Sequence, residues 1–524
     1  MFIRRRRISM KRPTGIGSFL LIAGILSIFT AAGCDENGGG GDDPFPPPNS
    51  LVTLIGQSGG TAPDGQAVFR GFERLIGPSN SGWVAFRALE KVTEDTFREV
   101  LYLADTGGPV EVARNGDSAP DGGGTFRDFP QNIGVNDSAQ LAFVGRTAES
   151  PHDEFGDTDG YYLSGEGGIE VLVREGDALP GGGSIFKLCI PGFLDCSYRY
   201  GGLNESGQIA YAAALTGTDD NRALFIADSG GTTELARKGD PVPGGNGAFE
   251  DFFTPTGPNE SGQVAFLASI SGTSGGDSDN EGIYLADESG VTELAREGDT
   301  VPGGNGSFGD FVFLTGLNDS GEAAFNAILD GTSGGESDNE ALYIASEAGI
   351  TELARKGEPA PGGGGGILSS ILIPTNPNEN GEVAFDASIE GGDEGLPVDS
   401  GIFLAGASGI VKLVRVGDSG PGGVGRFTGF LLGGLNDSGQ VIFRSRLFQN
   451  KSSVEGLYRV GPGSSVAALA QVFQPAPPDG SKLFRTIENR FQGPNNSGLA
   501  FFQAGLMNAN HTYSVNDFGI YTAQ

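Results

Sequence analysis

The sequence predicts an all-β protein, and within that class an eight-bladed β-propeller that occupies residues 51–524. Three observations lead to this prediction. Gly accounts for 91 of the 524 residues, which disfavours long helices because each interior Gly costs about 1 kcal/mol relative to Ala. A short turn motif recurs eight times along the chain at a spacing close to 59 residues. The two ends of the repeated region also look like complementary parts of a single repeat.

The repeated motif is an Asn-rich turn followed by a short apolar run. Its copies begin at Ser79, Asn136, Asn204, Asn259, Asn318, Asn378, Asn436 and Asn495. Each repeat holds four apolar stretches of five to eight residues, such as 282–287 and 291–296, separated by Gly, Asn and Asp. Stretches of this kind are typical of strands, and four antiparallel strands per repeat of this length make a propeller blade. A right-handed solenoid or a string of β-sandwiches is the alternative interpretation.

The ends of the repeated region favour a closed ring over a solenoid. A loop of constant length, with 12 positions from its first residue to its last, is predicted between the fourth stretch of one repeat and the first stretch of the next. These loops run from Arg114 to Phe126, Arg174 to Phe186, Arg237 to Phe249, Arg296 to Phe308, Arg355 to Ile367, Arg415 to Phe427 and Val472 to Phe484.

The same spacing leads from Gln57 to Phe69, so residues 51–55 are predicted to be a fourth strand whose first three strands are missing. Residues 519–524 are predicted to be a third strand with no fourth strand after it. Pairing these ends would complete the eighth blade and remove exposed sheet edges, whereas a solenoid needs capping repeats instead. The sequence therefore predicts closure of the ring by its N-terminal strand.

Residues 1–33 predict an export signal of the bacterial lipoprotein type. They hold six basic residues and no acidic one, and the apolar run 16–29 leads to small residues before Cys34. This run is shorter than the roughly 20 residues that span a bilayer, and the arrangement is typical of a signal peptide. The tetrapeptide 31–34, AAGC, resembles the lipobox of bacterial lipoproteins, with Ala31 where Leu is usual. The resemblance implies lipidation of Cys34; ordinary secretory cleavage nearby is the alternative.

Residues 34–50 predict a flexible tether, because Gly, Pro and Asp dominate and nothing there could pack. Without the signal the chain would keep 27 Lys and Arg residues against all 66 Asp and Glu residues. A field of this sign repels nucleic acids and anionic lipids. We therefore expect an exported protein with no nucleic-acid partner. It would be held by its lipid alone at a bacterial membrane, on the periplasmic face or at the cell surface.

The repeat motif N-x-x-G-x-x-A-F resembles that of the bacterial choice-of-anchor tandem-repeat proteins, which are of unknown function. The resemblance covers essentially all of residues 51–524. It implies a location at the surface or in the envelope, and it suits a member with a lipid anchor. It brings no activity and no catalytic residue to this chain.

The candidate ligand-binding residues lie in acidic loops between second and third strands. Asp157, Asp159, Asp277 and Asp279 stand there at alternating positions, and alternating oxygen ligands suit Ca²⁺. No loop shows the full twelve-residue calcium pattern, so solvated acidic turns are the alternative, and no other cofactor is expected. A histidine-based metal site is disfavoured because the chain has two His residues.

Three other features predict structural roles. Cys189 and Cys196 lie in the insertion that lengthens one repeat, and we expect them to form a disulfide in an oxidising compartment. The recurring Arg-x-Gly-Asp sequence, as in 296–299, predicts a charge pair that stabilises the loop between blades. The Asn turn recurs too regularly to be an active site; it predicts hairpin chemistry, in which Asn bonds its own turn and Gly supplies a positive φ.

Catalysis finds little support in the sequence, which has two His residues, one Trp and no clustered His or Cys ligands. The preferred hypothesis is a monomeric binding or scaffolding module for a protein or a glycan, which it would meet on the face with the acidic loops. The alternative is a carbohydrate-active hydrolase or lyase that uses carboxylates near the central channel. An asymmetric concave cluster of carboxylates and aromatic side chains would favour the enzyme, and equivalent loops around the ring would favour the binding module.

Overall fold

The computed structural model describes residues 51–148, 157–179, 181–188, 200–362, 365–392, 399–508 and 517–524. Eight antiparallel sheets follow one another along these ranges, and they confirm the predicted propeller of eight four-stranded blades. The helices of these ranges are short 3₁₀ turns at Pro120–Gly122, Gly276–Ser278, Gly335–Ser337 and Pro421–Gly423. Among the residues described, no helix has the length and apolar character needed to cross a membrane.

In the first half of the ring the strands of each blade follow chain order. Blade 1 consists of Val68–Ile76, Val84–Lys91, Phe97–Asp105 and Gly108–Arg114. Blade 2 consists of Thr125–Val135, Leu141–Ala148, Asp157–Gly165 and Gly168–Arg174. Blade 3 has two short segments in the place of its first strand and consists of Ser184–Lys187, Tyr200–Leu203, Ile209–Thr216, Arg222–Asp228 and Gly231–Arg237. Blade 4 consists of Ala248–Phe253, Val264–Ser271, Glu281–Asp287 and Gly290–Arg296.

The second half of the ring repeats this pattern as far as blade 8. Blade 5 consists of Ser307–Leu317, Ala323–Asp330, Glu340–Ser346 and Gly349–Arg355. Blade 6 consists of Ile367–Pro374, Val383–Glu390, Asp399–Gly406 and Gly409–Arg415. Blade 7 consists of Arg426–Leu435, Val441–Gln449, Ser452–Val460 and Ala467–Gln471. Blade 8 consists of Lys482–Gln492, Ala500–Asn508, Phe518–Ala523 and Val52–Gln57, with the two-residue strand Pro475–Ala476 beside the first of these.

The predicted closure by the N-terminal strand is confirmed. Val52–Gln57 pairs antiparallel with Phe518–Ala523, with Val52 opposite Ala523 and Gln57 opposite Gly519. Both termini of the described ring therefore belong to one sheet, and the last blade borrows its fourth strand from the start of the chain. Closure of this kind leaves no blade with an incomplete sheet.

The first strand of each blade lies innermost, around the central channel. At the ends of these strands the N–H of Gly434 donates to the carbonyl oxygen of Gly493 in the next blade at 2.7 Å. A Cβ added to Gly257 would lie 2.6 Å from the backbone nitrogen of Gly202. Such close backbone approaches are possible only where the blades converge. Because the strands are antiparallel, the turns after first and third strands lie on one face, and the 2–3 loops and interblade loops lie on the other.

Six of the eight blades pack around an aromatic triad from their first three strands. In blade 5 the ring of Tyr343 stacks on Phe325 with centroids 5.4 Å apart and meets the edge of Phe308 at 5.1 Å. All three side chains are buried. In blade 3 and blade 6 the first member is aliphatic, Ile185 and Leu368. Geometries of this kind stabilise aromatic pairs beyond their buried area.

The constant loop length predicted between blades is wrong at three connections. In blade 3 the residue bonded to the loop is Ile185, which is 1% exposed, and the predicted Phe186 is 46% exposed. In blade 6 Leu368 takes the place predicted for Ile367, which is 40% exposed. The loop is one residue shorter in the first case and one longer in the second. Because side chains alternate between faces of a strand, a shift of one residue decides which one is buried.

The third exception is the connection into blade 8. Gln471 pairs with Gly456 at the position where Arg415 pairs with Gly401 in blade 6. Gln471 therefore occupies the position predicted for Val472, and this loop is also one residue longer. The start of the following strand at Phe484 is as predicted.

Candidate functional site

Hydrogen bonds from the Asn turns join all but one of the neighbouring pairs of blades, which goes beyond the hairpin role predicted for these turns. Within each turn the Asn Oδ1 accepts the backbone N–H four residues later, as Asn318 does from Glu322 at 2.9 Å. The Asn Nδ2 group also donates to the backbone carbonyl of the equivalent residue in the next blade, as from Asn318 to Asn378 at 2.9 Å. Seven of the eight turns make this interblade bond. The exception is Ser79, whose hydroxyl accepts from Trp83 instead.

A second ring runs through the next residue of each turn. Its N–H donates to the side chain of the equivalent residue in the following blade, as from Glu260 to Asp319 at 2.9 Å. The circle is complete because Asn496 donates to Asn80 at 2.9 Å and Ser81 donates to Asp137 at 2.6 Å. These acidic side chains are therefore part of the framework that sets the positions of the blades.

The Arg-x-Gly-Asp sequence does not form the predicted charge pair. In blade 3 the Asp240 carboxylate accepts from the backbone N–H of Arg237 at 2.8 Å, and the guanidinium bonds Glu234 instead. The guanidinium also reaches the interblade loop before its own blade, as Arg296 Nη2 does to the carbonyl of Asn246 at 2.6 Å. The Arg side chain thus ties each blade to a loop, and the Asp shapes the turn.

In the acidic loop of blade 4 that was predicted to bind calcium, an aspartate carboxylate accepts hydrogen bonds that stabilise the loop itself. The carboxylate of Asp279 accepts from Nδ2 of Asn246 at 2.9 Å and from the N–H of Gly275 at 3.0 Å. Asp277 is exposed in the same loop. Asp157 and Asp159 do not lie in a loop, as predicted, but in the third strand of blade 2, Asp157–Gly165. Asp159 is buried, with Arg146 Nε 2.9 Å from its carboxylate, and Asp157 lies opposite Ala148.

The four aspartates are therefore split between two blades, and two of them already accept hydrogen bonds from the protein. No group of three or more His, Cys, Asp or Glu side chains that could hold a metal occurs in the described ranges. Calcium binding stays a prediction. Cys34, Cys189 and Cys196 lie outside the described residues, so the lipid anchor and the disulfide also stay predictions.

The ring is electrostatically asymmetric, which the sequence analysis missed. The first two strands of blades 8, 1 and 2, here called the basic sector, carry nine Lys and Arg residues and four acidic ones. The same strands of blades 4, 5 and 6 carry no basic residue and six acidic ones. In an eight-membered ring these two groups of blades lie opposite each other. A chain with 66 acidic residues therefore concentrates positive charge on one side of its channel.

A cavity of about 470 Å³ lies in the basic sector, between blade 8 and blade 1. We call it the seam cavity because the ring closes there. Three arginines and three glutamates line it, together with apolar groups: Arg70, Arg87, Arg490, Glu73, Glu99, Glu488, Phe72, Leu89 and Phe518. Gly71 leaves space on its side, since a Cβ added there would meet no atom within 4 Å. Arg70, Glu99 and Phe518 lie near the starts of first and third strands, whereas Glu488 and Arg490 lie in the second half of the first strand of blade 8. The cavity therefore extends along the inner strands of blades 8 and 1.

Arg87 organises the acidic side of the cavity. Its guanidinium pairs with Glu73 and with Glu99, the second at 3.2 Å, and it donates to the carbonyl of Phe129 in blade 2. The hydrogen bond from Arg87 holds the pKa of Glu73 below its ordinary value, and the nearby charge of Arg490 acts in the same direction. Glu73 is therefore a fixed carboxylate at neutral pH, and it cannot serve as a proton donor there.

The two other arginines, Arg70 and Arg490, have N–H donors that no described residue accepts. Arg490 uses Nη1 to bond the carbonyl of Phe72 in blade 1 at 3.0 Å, with Gln503 at 3.5 Å. Arg70 is exposed and makes no hydrogen bond or ion pair with the residues the structure describes. A guanidinium without a carboxylate partner is suited to bind an anionic group of a ligand. Arg70 and Arg490 are 420 positions apart in the chain and line the same cavity only because the ring closes.

The sequence contained a signal for this site. Basic residues are frequent in the first strands on both sides of the closure and missing from the first two strands of blades 4, 5 and 6. Counting them strand by strand, instead of over the whole chain, would have predicted a basic sector. An asymmetric concave cluster of carboxylates and aromatic side chains was expected to favour an enzyme over a binding module. The seam cavity is such a cluster, with three glutamates and with Phe72 and Phe518, and it holds three arginines in addition.

A family model described as a family of unknown function (DUF7453) matches residues 47–415 and 378–524. Among solved structures, the chain is similar to the β-propeller domain of the Trilobed protease from Pyrococcus furiosus, with 8% identity and a TM-score of 0.39 over 76% of this chain and 97% of that one. Prolyl oligopeptidase B from Galerina marginata is similar at 10% identity and a TM-score of 0.36, over 84% of this chain and 55% of that one. A sialidase from Trypanosoma rangeli is similar at 10% identity and a TM-score of 0.26, over 91% of this chain and 92% of that one. At these identities the similarity is one of fold alone, and no curated protein matches the sequence.

Proposed function

Because the chain belongs to the DUF7453 family of unknown function, which lends it no activity, we propose from its own geometry that it is a ligand-binding module. The ligand is a protein or a glycan, and it sits in the seam cavity between the first and last blades. The single observation that carries this proposal is the cavity itself, with its uncompensated Arg70.

Three properties of the cavity support binding. Its volume of about 470 Å³ falls within the roughly 300–1,000 Å³ common for ligand sites. It combines apolar walls with a few polar groups that could orient a ligand. The interblade hydrogen bonds of the Asn turns hold blade 8 against blade 1, as between Asn495 and Ser79 at 2.7 Å. A site on rigid strands loses little entropy when a ligand binds.

The location that we propose rests on the sequence. An export signal over residues 1–33, lipidation at Cys34 and a tether over 34–50 would place the propeller at a membrane surface, as in the resemblance to choice-of-anchor proteins. The module acts as a monomer and needs no cofactor. Partition of the protein into detergent, with Cys34→Ser as the comparison, tests the anchor separately from the binding function.

The binding function is tested with the purified full chain on a glycan array and by capture of envelope proteins. The variant Gly71→Leu fills the cavity without changing its charges, and Arg222→Ala in blade 3 is the matched surface control. We expect each specific interaction to be lost in Gly71→Leu and kept in Arg222→Ala. Interactions that survive Gly71→Leu unchanged would place the binding function elsewhere on the ring.

The second candidate function is a carbohydrate-active hydrolase or lyase, and the observation that favours it is the presence of three glutamates in the cavity. Hydrolysis by paired carboxylates needs one carboxyl that keeps its proton near neutral pH. Arg87 holds the pKa of Glu73 below its ordinary value, which disfavours Glu73 as the acid. Product analysis after incubation with oligosaccharides, using Glu488→Gln as the comparison, tests this function; cleavage that depends on Glu488 would replace the binding proposal.

A further inference from the structure

We infer that the ligand of the seam cavity is an acidic saccharide whose carboxylate is bound by Arg70 and Arg490. This inference rests on the proposed function and adds the chemical class of the ligand. It depends on which donors, acceptors and apolar groups around the cavity remain unused after the hydrogen bonds and ion pairs within the protein are counted.

The anionic group is the first requirement of the cavity. Arg70 has no partner among the described residues, and Arg490 has one nitrogen, Nη1, committed to the carbonyl of Phe72 and to Gln503. A guanidinium presents five N–H donors in a planar fork that matches a carboxylate. Arg87 is different, because Glu73 and Glu99 already neutralise it. The positive charge that is available to bind an anionic group of a ligand therefore lies on Arg70 and Arg490.

Hydroxyl groups are the second requirement. Glu488 accepts a hydrogen bond from the Thr486 hydroxyl at 2.7 Å through Oε1, and Glu99 meets Arg87 through Oε2. Each carboxylate keeps one oxygen that can accept from a ligand. Three carboxylates repel a ligand whose acidic groups follow one another with no hydroxyls between them, but they suit one in which each carboxylate is surrounded by hydroxyls. A uronic acid unit has this distribution.

The apolar wall is the third requirement. Leu89 remains 42% exposed although it belongs to a central strand of blade 1, and Phe518 lines the same cavity. Beside them Gly71 leaves the space of a side chain empty. A flat apolar surface next to carboxylates is suited to the C–H face of a sugar ring, which packs on it while its hydroxyls bond outward.

An extended acidic peptide is the competing ligand, and two observations disfavour it. Peptides bind to sheet edges through backbone groups, but the carbonyl of Phe72 on the inner strand of blade 1 is already bonded to Arg490 at 3.0 Å. The three glutamates would also repel successive acidic side chains. The saccharide needs neither the strand edge nor a cavity free of carboxylates.

Calorimetric titration of the full chain with trigalacturonate, neutral galactotriose and triglutamate tests the inference. We expect trigalacturonate to bind and the other two to give no heat. Arg70→Ala and Arg490→Ala should each weaken binding by about tenfold or more, as for loss of a charge-assisted hydrogen bond. Arg222→Ala should leave binding unchanged. Because Arg70 is exposed and has no partner in the part of the chain that the structure describes, its substitution should leave the unfolding temperature unchanged.

The other outcomes separate the inference from the proposed function. Equal binding of galactotriose, or binding of triglutamate alone, overturns the inference; loss of that binding in Gly71→Leu would still support a module that uses the seam cavity. Absence of heat with all three probes also overturns the inference, and the array and capture experiments then decide on the function. Trigalacturonate binding that Arg70→Ala and Arg490→Ala leave unaltered overturns the assignment to these residues.

Discussion

The Nδ2 group of Asn495 in blade 8 donates to the carbonyl oxygen of Ser79 in blade 1 at 2.7 Å, across 416 positions of the chain. The equivalent bond joins every other pair of neighbouring turns except the pair of blades 1 and 2, because the Ser79 side chain does not make it. Two links therefore close the ring at different depths: the pairing of Val52–Gln57 with Phe518–Ala523 and this bond near the channel. The seam cavity lies in the sector that both links hold together.

The first prediction concerns this bond. Asn495→Ala removes the donor to Ser79 and the Oδ1 acceptor that bonds the N–H of Leu499 at 2.8 Å. Because both bonds are buried or partly buried, we expect the free energy of unfolding to fall by about 1–3 kcal/mol. Urea unfolding measures the change.

Two variants serve as controls for Asn495→Ala. Ser438 is exposed in an equivalent turn, and Ser438→Ala should change stability by less than about 0.5 kcal/mol. Asn378→Ala removes the same bond inside the ring, to Asn436 at 3.1 Å, and should cost as much as Asn495→Ala. If Asn495→Ala lowers the free energy of unfolding as little as Ser438→Ala does, the bond between Asn495 and Ser79 does not form in solution.

The second prediction concerns the arginines that tie blades to loops. Arg296 is 5% exposed and donates to the carbonyl of Asn246 at 2.6 Å and to that of Asp279 at 3.0 Å. Arg296→Ala leaves these partly buried acceptors unpaired, so we expect a loss of about 1–3 kcal/mol in unfolding free energy. Arg296→Lys should recover little, because an ammonium group cannot replace the planar fork.

The control for Arg296 is Lys238, whose ion pair with Glu250 is more exposed. Lys238→Ala should cost less than about 1 kcal/mol, as surface ion pairs usually do. Equal losses for Arg296→Ala and Lys238→Ala in chemical unfolding would contradict the tying role of the arginine.

The third prediction is a pH dependence of stability that arises at the interface between blades 4 and 5. Burial raises the pKa of Glu297 to about 7, and the carboxylates of Glu281 and Asp310 add to the effect. At the corresponding place between blades 2 and 3, Lys187 pairs with Glu175 at 2.6 Å. Between blades 4 and 5, the three side chains Glu281, Glu297 and Asp310 are all carboxylates.

A carboxyl whose pKa is higher in the folded state binds a proton more tightly when folded. Its contribution to stability is therefore greatest at low pH, and it is lost as pH rises from the ordinary value of 4.5 to about 7. Relative to Glu297→Gln, the unmodified protein should lose about 1–2 °C of unfolding temperature between pH 5 and pH 7.5. The exposed Glu288→Gln should follow the unmodified protein. Parallel curves for all three proteins would contradict the prediction.

The fourth prediction concerns calcium. The carboxylate of Asp279 braces its loop through Asn246 and Gly275, and Asp338 repeats the bracing in blade 5 through Asn305 at 2.9 Å. Repetition of these bonds indicates a structural role, so we expect no heat when calcium is titrated into the full chain. Heat that disappears in Asp279→Asn and persists in Asp277→Lys would overturn this expectation and locate a calcium site in the loop.

The fold could be predicted from the sequence because its determinants are local and repeated. The turn at Asn318 needs only Asn and, three positions later, Gly, which has a φ of +76° at Gly321, and eight copies of the turn reveal the period of the blades. The errors came from loops whose length varies by one residue. The nearest large apolar residue was taken as the buried one, as with Phe186, although Ile185 is the one that packs.

The candidate site could not be predicted in the same way, because its residues come from both ends of the repeated region. Nothing local connects Arg70 with Arg490, and neither belongs to a motif. Net charge over the whole chain also concealed the basic sector, since acidic residues outnumber basic ones by two to one. Once the closure was predicted, charges on the first strands of blades 8 and 1 could have been considered together.

Hydrogen–deuterium exchange of the full chain, measured with and without trigalacturonate, tests the central claim of a ligand site at the closure most directly. The account predicts slower exchange in 68–76 and 482–492, the inner strands that border the seam cavity, and unchanged exchange in the acidic loop 275–281. Slower exchange confined to that acidic loop, or no change anywhere at the highest soluble concentration of the saccharide, would contradict it.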